Sequence, residues 1–244
     1  MRPTSGNRSV PCSRLVLASQ SPRRRRLLAW LGLPFEAHSV DTPEELDTPL
    51  AADPAALAAS LAAEKADAAR AEGLARDALV LCFDTVVVLD GAVLGKPRDV
   101  DDAWRMLRAL SGRTHEVVSG VAMLAPADAV PRTFAVTTEV RMKALSDADI
   151  EAWMASGEFM GCAGAYNIEG QVAEVGLAEC YQNVAGLPLC HLYAALVGDV
   201  ASRSCLPSDP DVPMAPCDAA LARRCELGPR VVAPGATTPD APRG

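Results

Sequence analysis

The chain has 244 residues, with 23 lysines and arginines against 31 aspartates and glutamates, which gives a formal net charge of −8. Half of the residues are apolar, enough for a sizeable core, so wholesale disorder is excluded. The acidic balance also argues against general nucleic-acid binding, which needs a net basic face, although it allows a local basic pocket.

Composition along the chain divides it into three segments. Residues 1–13 are polar, lack the apolar stretch of a secretory signal, and are expected to form a flexible leader. Residues 14–198 alternate between strand and helix patterns, whereas residues 199–244 are rich in proline and contain cysteine, which predicts a loosely ordered tail. No apolar run approaches the ~20 residues that span a bilayer. With no signal sequence, the eight cysteines are expected to be reduced thiols of a cytoplasmic protein.

Hydrophobic periodicity and turn residues predict the elements in chain order. Ser21 suits a helix N-cap before Pro22, and Asp90-Gly91 is a strong hairpin signal between two apolar runs. The predicted strands cover residues 15–18, 35–40, 78–83, 85–89, 92–94, 115–124, 133–142 and 172–178. The predicted helices cover residues 22–31, 53–72, 99–110, 146–156 and 188–197. This alternation, with some hairpins, predicts an α/β domain with a mixed sheet.

The first candidate site is the turn into the first helix. Ser19 and Ser21 supply hydroxyls there, and Arg23 and Arg24 lie in the first helical turn, where the helix dipole disfavours cations. A bound phosphate would explain that placement, because helix N-termini and arginine forks both bind phosphate oxygens. A solvated basic helix face is the alternative, since Arg25 continues the run.

Four further charged residues are candidates for the same chemistry. Asp84 directly follows a predicted buried strand, where a carboxylate can hold a divalent cation or take a proton from water. Lys65 lies in line with the apolar stripe of its helix, so it must extend to solvent or meet a partner. Lys96 stands between Gly95 and a proline, and Glu44 lies in an acidic loop. Each of these also fits an ordinary turn, loop or surface.

Five separated stretches together resemble the Maf family of nucleoside triphosphate pyrophosphatases over about residues 14–198. They read, in order, LASQSPRR, FDTVVVLDGAVLGKP, MLRALSG, CAGAYNIEG and NVAGLPL. The resemblance implies a mixed-sheet, two-lobed α/β fold like that of the inosine triphosphate pyrophosphatase group. It also implies hydrolysis of a nucleoside triphosphate to the monophosphate and pyrophosphate with Mg²⁺ or Mn²⁺, and allows a homodimer.

The resemblance also implies roles for individual residues. Asp84 matches the catalytic position of the family, and Asp84 with Glu44 would bind the metal. Thr85 matches a position linked to substrate choice. The expected substrate-binding residues, which share polar or cationic side chains, are Ser19, Ser21, Arg23, Arg24, Lys65, Lys96, Thr85 and Glu169.

Two departures from the family pattern concern the base. Gly161-Cys162 stands where members acting on dTTP and UTP usually have Asp-Lys, and Glu169 stands where they have glutamine. Both departures resemble the branch that acts on 7-methyl-GTP, whereas Asp84-Thr85 and the Gly-Lys-Pro turn look like the dTTP/UTP branch. The base preference therefore stays open between the two, with Glu169 as an expected base contact that only accepts hydrogen bonds when ionised.

Two other functional classes remain as alternatives. The altered residues at 161, 162 and 169 allow a nucleotide-binding regulator, or a cell-division (septum) inhibitor, without turnover. The cysteines of the tail allow a redox or metal-sensing role, although the spacing of Cys205, Cys217 and Cys225 matches no standard zinc pattern.

Overall fold

A seven-stranded mixed sheet forms the centre of the computed structural model, which describes residues 12–170 and 172–233. The expected leader therefore falls almost entirely outside the described residues, as does the end of the tail from residue 234. The strands are β1 (Arg14–Ala18), β2 (Glu36–His38), β3 (Ala78–Leu89), β4 (Ala92–Leu94), β5 (Thr114–Leu124), β6 (Arg132–Met142) and β7 (Ala173–Val175). The mixed α/β class predicted from the sequence is confirmed.

Helices cover both faces of the sheet. They are α1 (Pro22–Ala29), α2 (Pro54–Ala71), α3 (Val100–Leu110), α4 (Asp147–Met154), α5 (Tyr181–Val184), α6 (Leu189–Gly198), α7 (Val200–Cys205), α8 (Met214–Leu221) and α9 (Gly228–Val231). The predicted N-cap Ser21 accepts a hydrogen bond from a backbone N–H of the first turn, and so do Asp53, Asp99 and Ser146, the first residues of three other predicted helices. None of the helices in the described ranges is long and apolar enough to cross a membrane.

The sheet runs in the order β2-β1-β3-β5-β6-β7, and β4 pairs with the end of β3. β1 pairs in parallel with β2 and β3, while β5 and β6 form a long antiparallel pair. The segments predicted as two strands, 78–83 and 85–89, are one continuous strand, so the prediction that Asp84 follows a strand is wrong. Pairing with Gly120 of β5 keeps the backbone extended through Asp84.

The other edge of β3 explains why Asp84 still borders an opening. β1 pairs with β3 as far as Leu81, and β4 begins to pair at Val87. In the part of the chain that the structure describes, no strand pairs with residues 82–86 on this edge. The interruption lies beyond the carboxyl end of a parallel strand, where α/β sheets commonly bind ligands.

Strand alternation sends neighbouring side chains of β3 to different helices. Val80, Cys82 and Val86 pack in the apolar clusters of the face covered by α2, so Asp84 points to that face. Phe83 packs with the leucines of α1 on the opposite face, which Thr85 therefore shares. The adjacent side chains of Asp84 and Thr85 therefore lie on opposite faces of the sheet.

Gly120 allows α2 to lie unusually close to the sheet. A Cβ atom at Gly120 would come within 1.9 Å of the Ala58 carbonyl oxygen of α2. Because Gly120 is directly opposite Asp84, this contact also sets the distance between α2 and the carboxylate.

We expect Gly120→Ala to lower the free energy of unfolding by about 3 kcal/mol, because backbone must move to admit the methyl group. Chemical denaturation measures the loss. Gly198→Ala is the matched control, since a Cβ there meets no atom within 4 Å. If the two variants were equally stable, α2 would not be in contact with Gly120.

The described part of the tail packs against the body of the protein. It contains α7, α8 and α9, and the Asp211 N–H donates to the Leu31 carbonyl oxygen at 2.8 Å. The Arg223 guanidinium donates to the Val175 carbonyl oxygen, also at 2.8 Å. A disulfide joins Cys12 to Cys205 across 193 residues of sequence, so the expectation of reduced thiols does not hold for this pair.

Candidate active site

A cavity of about 540 Å³ occupies the interruption beside β3. Its volume is in the range of small-molecule sites. Of the residues expected from the sequence, the cavity is lined by Ser19, Ser21, Arg23, Arg24, Glu44, Lys65, Asp84, Thr85 and Lys96. The expected base contact, Glu169, is not among the lining residues.

Two lysines and two carboxylates form a connected group on the α2 side of the cavity. The Lys65 ammonium donates to Asp84 Oδ1 and lies 3.4 Å from Glu44 Oε1. Lys96 also donates to Glu44 Oε1. The side chains of Asp84 and Lys65 are only 5% and 12% exposed, so this pair is shielded from solvent. The lysine in the apolar stripe therefore meets a partner instead of extending to solvent.

Glu44 is held in its ionised form. Burial alone would raise the pKa of its carboxyl group, but the ammonium groups of Lys96 and Lys65 outweigh burial and hold the pKa below its usual value. Two carboxylates that contact one ammonium are close enough to share a cation.

Arg24 connects three elements on the other side of the sheet. Its guanidinium donates to the Gly186 carbonyl oxygen at 2.8 Å and to Thr85 Oγ1 at 3.1 Å, and lies 5.7 Å from the centre of the Phe83 ring. Burial lowers the pKa of this guanidinium, an effect opposed by the charge of Asp84. Arginine remains charged despite such a shift. The side chain is thus fixed before any ligand arrives.

A hydrogen-bond chain extends from Thr85 into the core. The hydroxyls of Thr85 and Ser119 are 2.9 Å apart, and Ser119 donates to the Asn183 carbonyl oxygen at 3.1 Å. The Asn183 side-chain amide donates to carbonyl oxygens of Val117 and Val136 at 3.1 and 2.9 Å. Asn183 therefore ties the loop around α5 to β5 and β6, which positions Gly186 beside Arg24.

Residues 158–167 form the remaining wall. Asn167 donates from its amide to Glu158 Oε2 at 2.8 Å, and an Arg23 N–H donates to Cys162 Sγ at 3.3 Å. Tyr166 contacts His115, whose Nε2 lies 2.7 Å from the tyrosine hydroxyl oxygen. This wall presents a carboxylate and an amide to the cavity.

Burial lowers the pKa of His115 to about 4, so its imidazole is neutral near pH 7 and acts as a fixed support for the Tyr166 ring. Burial likewise raises the pKa of the Cys162 thiol, an effect opposed by Arg23. The thiol is therefore held in its protonated form.

Glu169 lies elsewhere on the surface. Its side chain is 40% exposed and pairs with Arg26 of α1. Arg26 lies two residues beyond Arg24 on α1 and is not among the residues that line the cavity. The geometry gives no support to the expected contact between Glu169 and a base.

Sequence reasoning did not identify Glu158 as a lining residue. Glu158 begins a short 3₁₀ turn, Glu158–Gly161, which has no periodic pattern to indicate a direction for its side chains. Its partner Asn167 belongs to the CAGAYNIEG stretch that resembles the Maf family. The sequence pattern therefore indicated Asn167 but not Glu158.

The fold and the cavity define a mixed α/β protein that brings cationic and carboxylate side chains together at one sheet opening. The chain belongs to the Maf family, because the family model described as Maf-like protein matches residues 14–198. The match ends where the tail begins.

Curated relatives agree with this assignment. A dTTP/UTP pyrophosphatase of Pelotomaculum thermopropionicum is 45% identical over 180 residues, covering 73% of this chain and 92% of the relative. One of Anaeromyxobacter dehalogenans is 47% identical over 190 residues, covering 75% and 92%. One of Xanthomonas euvesicatoria is 44% identical over 179 residues, covering 72% and 94%.

Proposed function

We propose that the protein hydrolyses a nucleoside triphosphate to the nucleoside monophosphate and pyrophosphate, with dTTP and UTP as the favoured substrates. The observation that carries the proposal is the convergence of Asp84, Lys65, Glu44 and Arg24 on one cavity in a Maf-family chain. The names of the relatives support both the reaction and the pyrimidine substrates.

The cationic residues bind the triphosphate in this proposal. Arg24 and Arg23 lie at the N-terminal turn of α1, so their guanidinium groups and the positive end of the helix dipole favour phosphate oxygens. Lys65 and Lys96 supply compact charges from the other side of the cavity. Ser19 and Ser21 accept hydrogen bonds from the backbone N–H groups of Ser21 and Arg24, which fixes the shape of the turn beside the cavity.

Asp84 and Glu44 would hold the divalent metal. Two carboxylates fit Mg²⁺ or Mn²⁺, which take oxygen ligands and complete their coordination with water and substrate phosphates. When bound, the metal stabilises phosphate charge and makes a coordinated water more acidic. Lys65 holds the two carboxylates together, and Asp84 accepts the proton of the attacking water.

Glu158 and Asn167 are our candidates for recognising the base. A carboxylate accepts from the N3–H of thymine or uracil, while an amide donates to a neighbouring carbonyl of the same edge. This replaces the role expected of Glu169.

The alternative of a regulator or septum inhibitor without turnover is not favoured by relatives that are named as enzymes. From the family resemblance, we also propose that the protein is a cytoplasmic homodimer.

The test is pyrophosphate release from a nucleotide panel. With Mg²⁺ or Mn²⁺, we expect dTTP and UTP to be cleaved to monophosphate and pyrophosphate at least about tenfold faster than 7-methyl-GTP or dATP, since matched hydrogen-bonding groups discriminate strongly between bases. Chelation by EDTA should abolish turnover, and re-addition of metal should restore it. Binding of all nucleotides without product would support the regulator instead. Preferential cleavage of 7-methyl-GTP would overturn the pyrimidine assignment.

A further inference from the structure

Four cysteines that are distant in sequence surround a second, small cavity. Cys180 and Cys190 come from the loop and helix after β7, whereas Cys217 and Cys225 come from the tail. None of these four is in the disulfide, and Cys180, Cys190 and Cys217 are buried. The cavity measures about 20 Å³, enough for one ion or one water molecule.

The thiols are close enough to influence each other's ionisation. Burial raises the pKa of Cys190, and negative charge on Cys180, Cys217 and Cys225 would raise it further. Burial, together with the charges of Cys217 and Cys225, raises the pKa of Cys180 to about 12 against the opposing backbone hydrogen bond from Asn183. Cys180, Cys190 and Cys217 are buried, so they are ill suited to thiol–disulfide exchange with an outside partner. A soft metal ion needs no such partner, and it favours sulfur ligands.

Polar groups around the cavity contact two of the four sulfur atoms. The Gly228 backbone N–H donates to Cys225 Sγ at 3.3 Å, and the Gln182 amide lies 3.5 Å from Cys217 Sγ. Arg223 lines the same cavity and offers a compensating positive charge. Hydrogen bonds of this kind orient and stabilise thiolate ligands.

We propose that Cys180, Cys190, Cys217 and Cys225 bind one Zn²⁺ ion, which fastens the tail to the wall of the nucleotide cavity. Four cysteines are a complete ligand set for a structural, tetrahedral zinc ion. An iron–sulfur cluster needs far more room than this cavity provides. Across residues 12–170 and 172–233, no three cysteine, histidine or acidic side chains already stand in a metal-binding arrangement. Binding of the ion therefore requires the four thiol groups to converge on the cavity.

The spacing of these cysteines hid the site from sequence reasoning. Cys205 lies between the two pairs but bonds to Cys12 instead. Cys162, another buried cysteine outside the disulfide, contacts Arg23 in the nucleotide cavity. The packing of α8 against α5, seen in the contact of Gln182 with Cys217, brings the four cysteines of the small cavity together.

Elemental analysis of the full chain, purified without chelator, tests the proposal. We expect about one zinc ion per chain, released when a mercurial reagent modifies the thiols. Cys217→Ser and Cys225→Ser should lose the zinc. Cys82→Ala should keep it, because Cys82 is buried in the sheet away from this cavity. Asp84→Asn should also keep it, which separates this site from the proposed nucleotide and metal site.

Cobalt provides a readout that does not depend on the variants folding. The wild-type chain, reduced and loaded with Co²⁺, should show thiolate-to-cobalt charge transfer and the visible bands of a tetrahedral ion. The proposal is overturned if the reduced wild-type chain binds neither Zn²⁺ nor Co²⁺ through sulfur. Disulfides among the four cysteines in the purified protein, or full zinc retention in both serine variants, would also overturn it.

Discussion

Asp84→Asn is expected to lower kcat for pyrophosphate release about a thousandfold while leaving the fold intact. Loss of a general base alone costs between about a hundredfold and ten-thousandfold in rate. The amide is nearly the same size as the carboxylate, but it neither accepts a proton nor balances the charge of Lys65. Initial rates with saturating dTTP measure the effect, and thermal unfolding checks that the protein is folded.

Asp90→Asn is the matched control for that substitution. Asp90 lies in the hairpin turn between β3 and β4, has a left-handed backbone with φ of 52°, and pairs with exposed Arg113. Asparagine tolerates this backbone conformation, and exposed ion pairs contribute little. Its kcat should match that of the wild type. If Asp84→Asn also retained full activity, Asp84 would have no role in catalysis.

Arg24→Lys is expected to lower kcat/KM about a hundredfold although it preserves the positive charge. Lysine cannot reproduce the fork that reaches both Gly186 and Thr85, and the lost charge-assisted bonds are each worth roughly 1.5–3 kcal/mol. The loss should be seen mainly in KM, because the guanidinium is proposed to bind phosphate before and during the reaction. Steady-state kinetics with dTTP measure both constants.

Arg25→Lys supplies the comparison within the same helix. Arg25 is exposed and does not line the cavity, so its kinetics should remain those of the wild type. A similar loss of kcat/KM in both variants would indicate that replacing any arginine of α1 by lysine impairs the enzyme. An unaffected Arg24→Lys enzyme would instead remove Arg24 from phosphate binding.

Regular periodicity made much of the sheet predictable. β5 and β6 show long alternating or continuous apolar patterns, and the structure pairs them from Thr114 to Met123. The helix caps were equally predictable, because a cap is a local hydrogen bond between residues that are close in sequence. Lys65 was found for a similar reason: a charge in an apolar stripe must extend to solvent or meet a partner, and in the structure its partner is Asp84.

Features that depend on distant contacts escaped prediction. The continuation of β3 through Asp84 requires β5 on its other edge, which no local signal around Asp84 reveals. The direction of Glu169 and Glu158 is set by 3₁₀ turns that lack periodicity. The tail helices are short, and tertiary contacts such as Asp211 to Leu31 stabilise them, since isolated helices of this length are unstable.

The anchoring of the tail has a consequence for motion. One end of its described part holds the turn after α1 through Asp211, and the other holds the segment before α5 through the Glu226 N–H, which donates to the Leu177 carbonyl oxygen at 3.1 Å. These two attachments follow the helix that carries Arg24 and precede the loop that carries Gly186. Local unfolding of that loop therefore requires the tail to detach as well, so the two segments open as one cooperative unit. The amides of α5 should exchange with solvent no faster than those of α8.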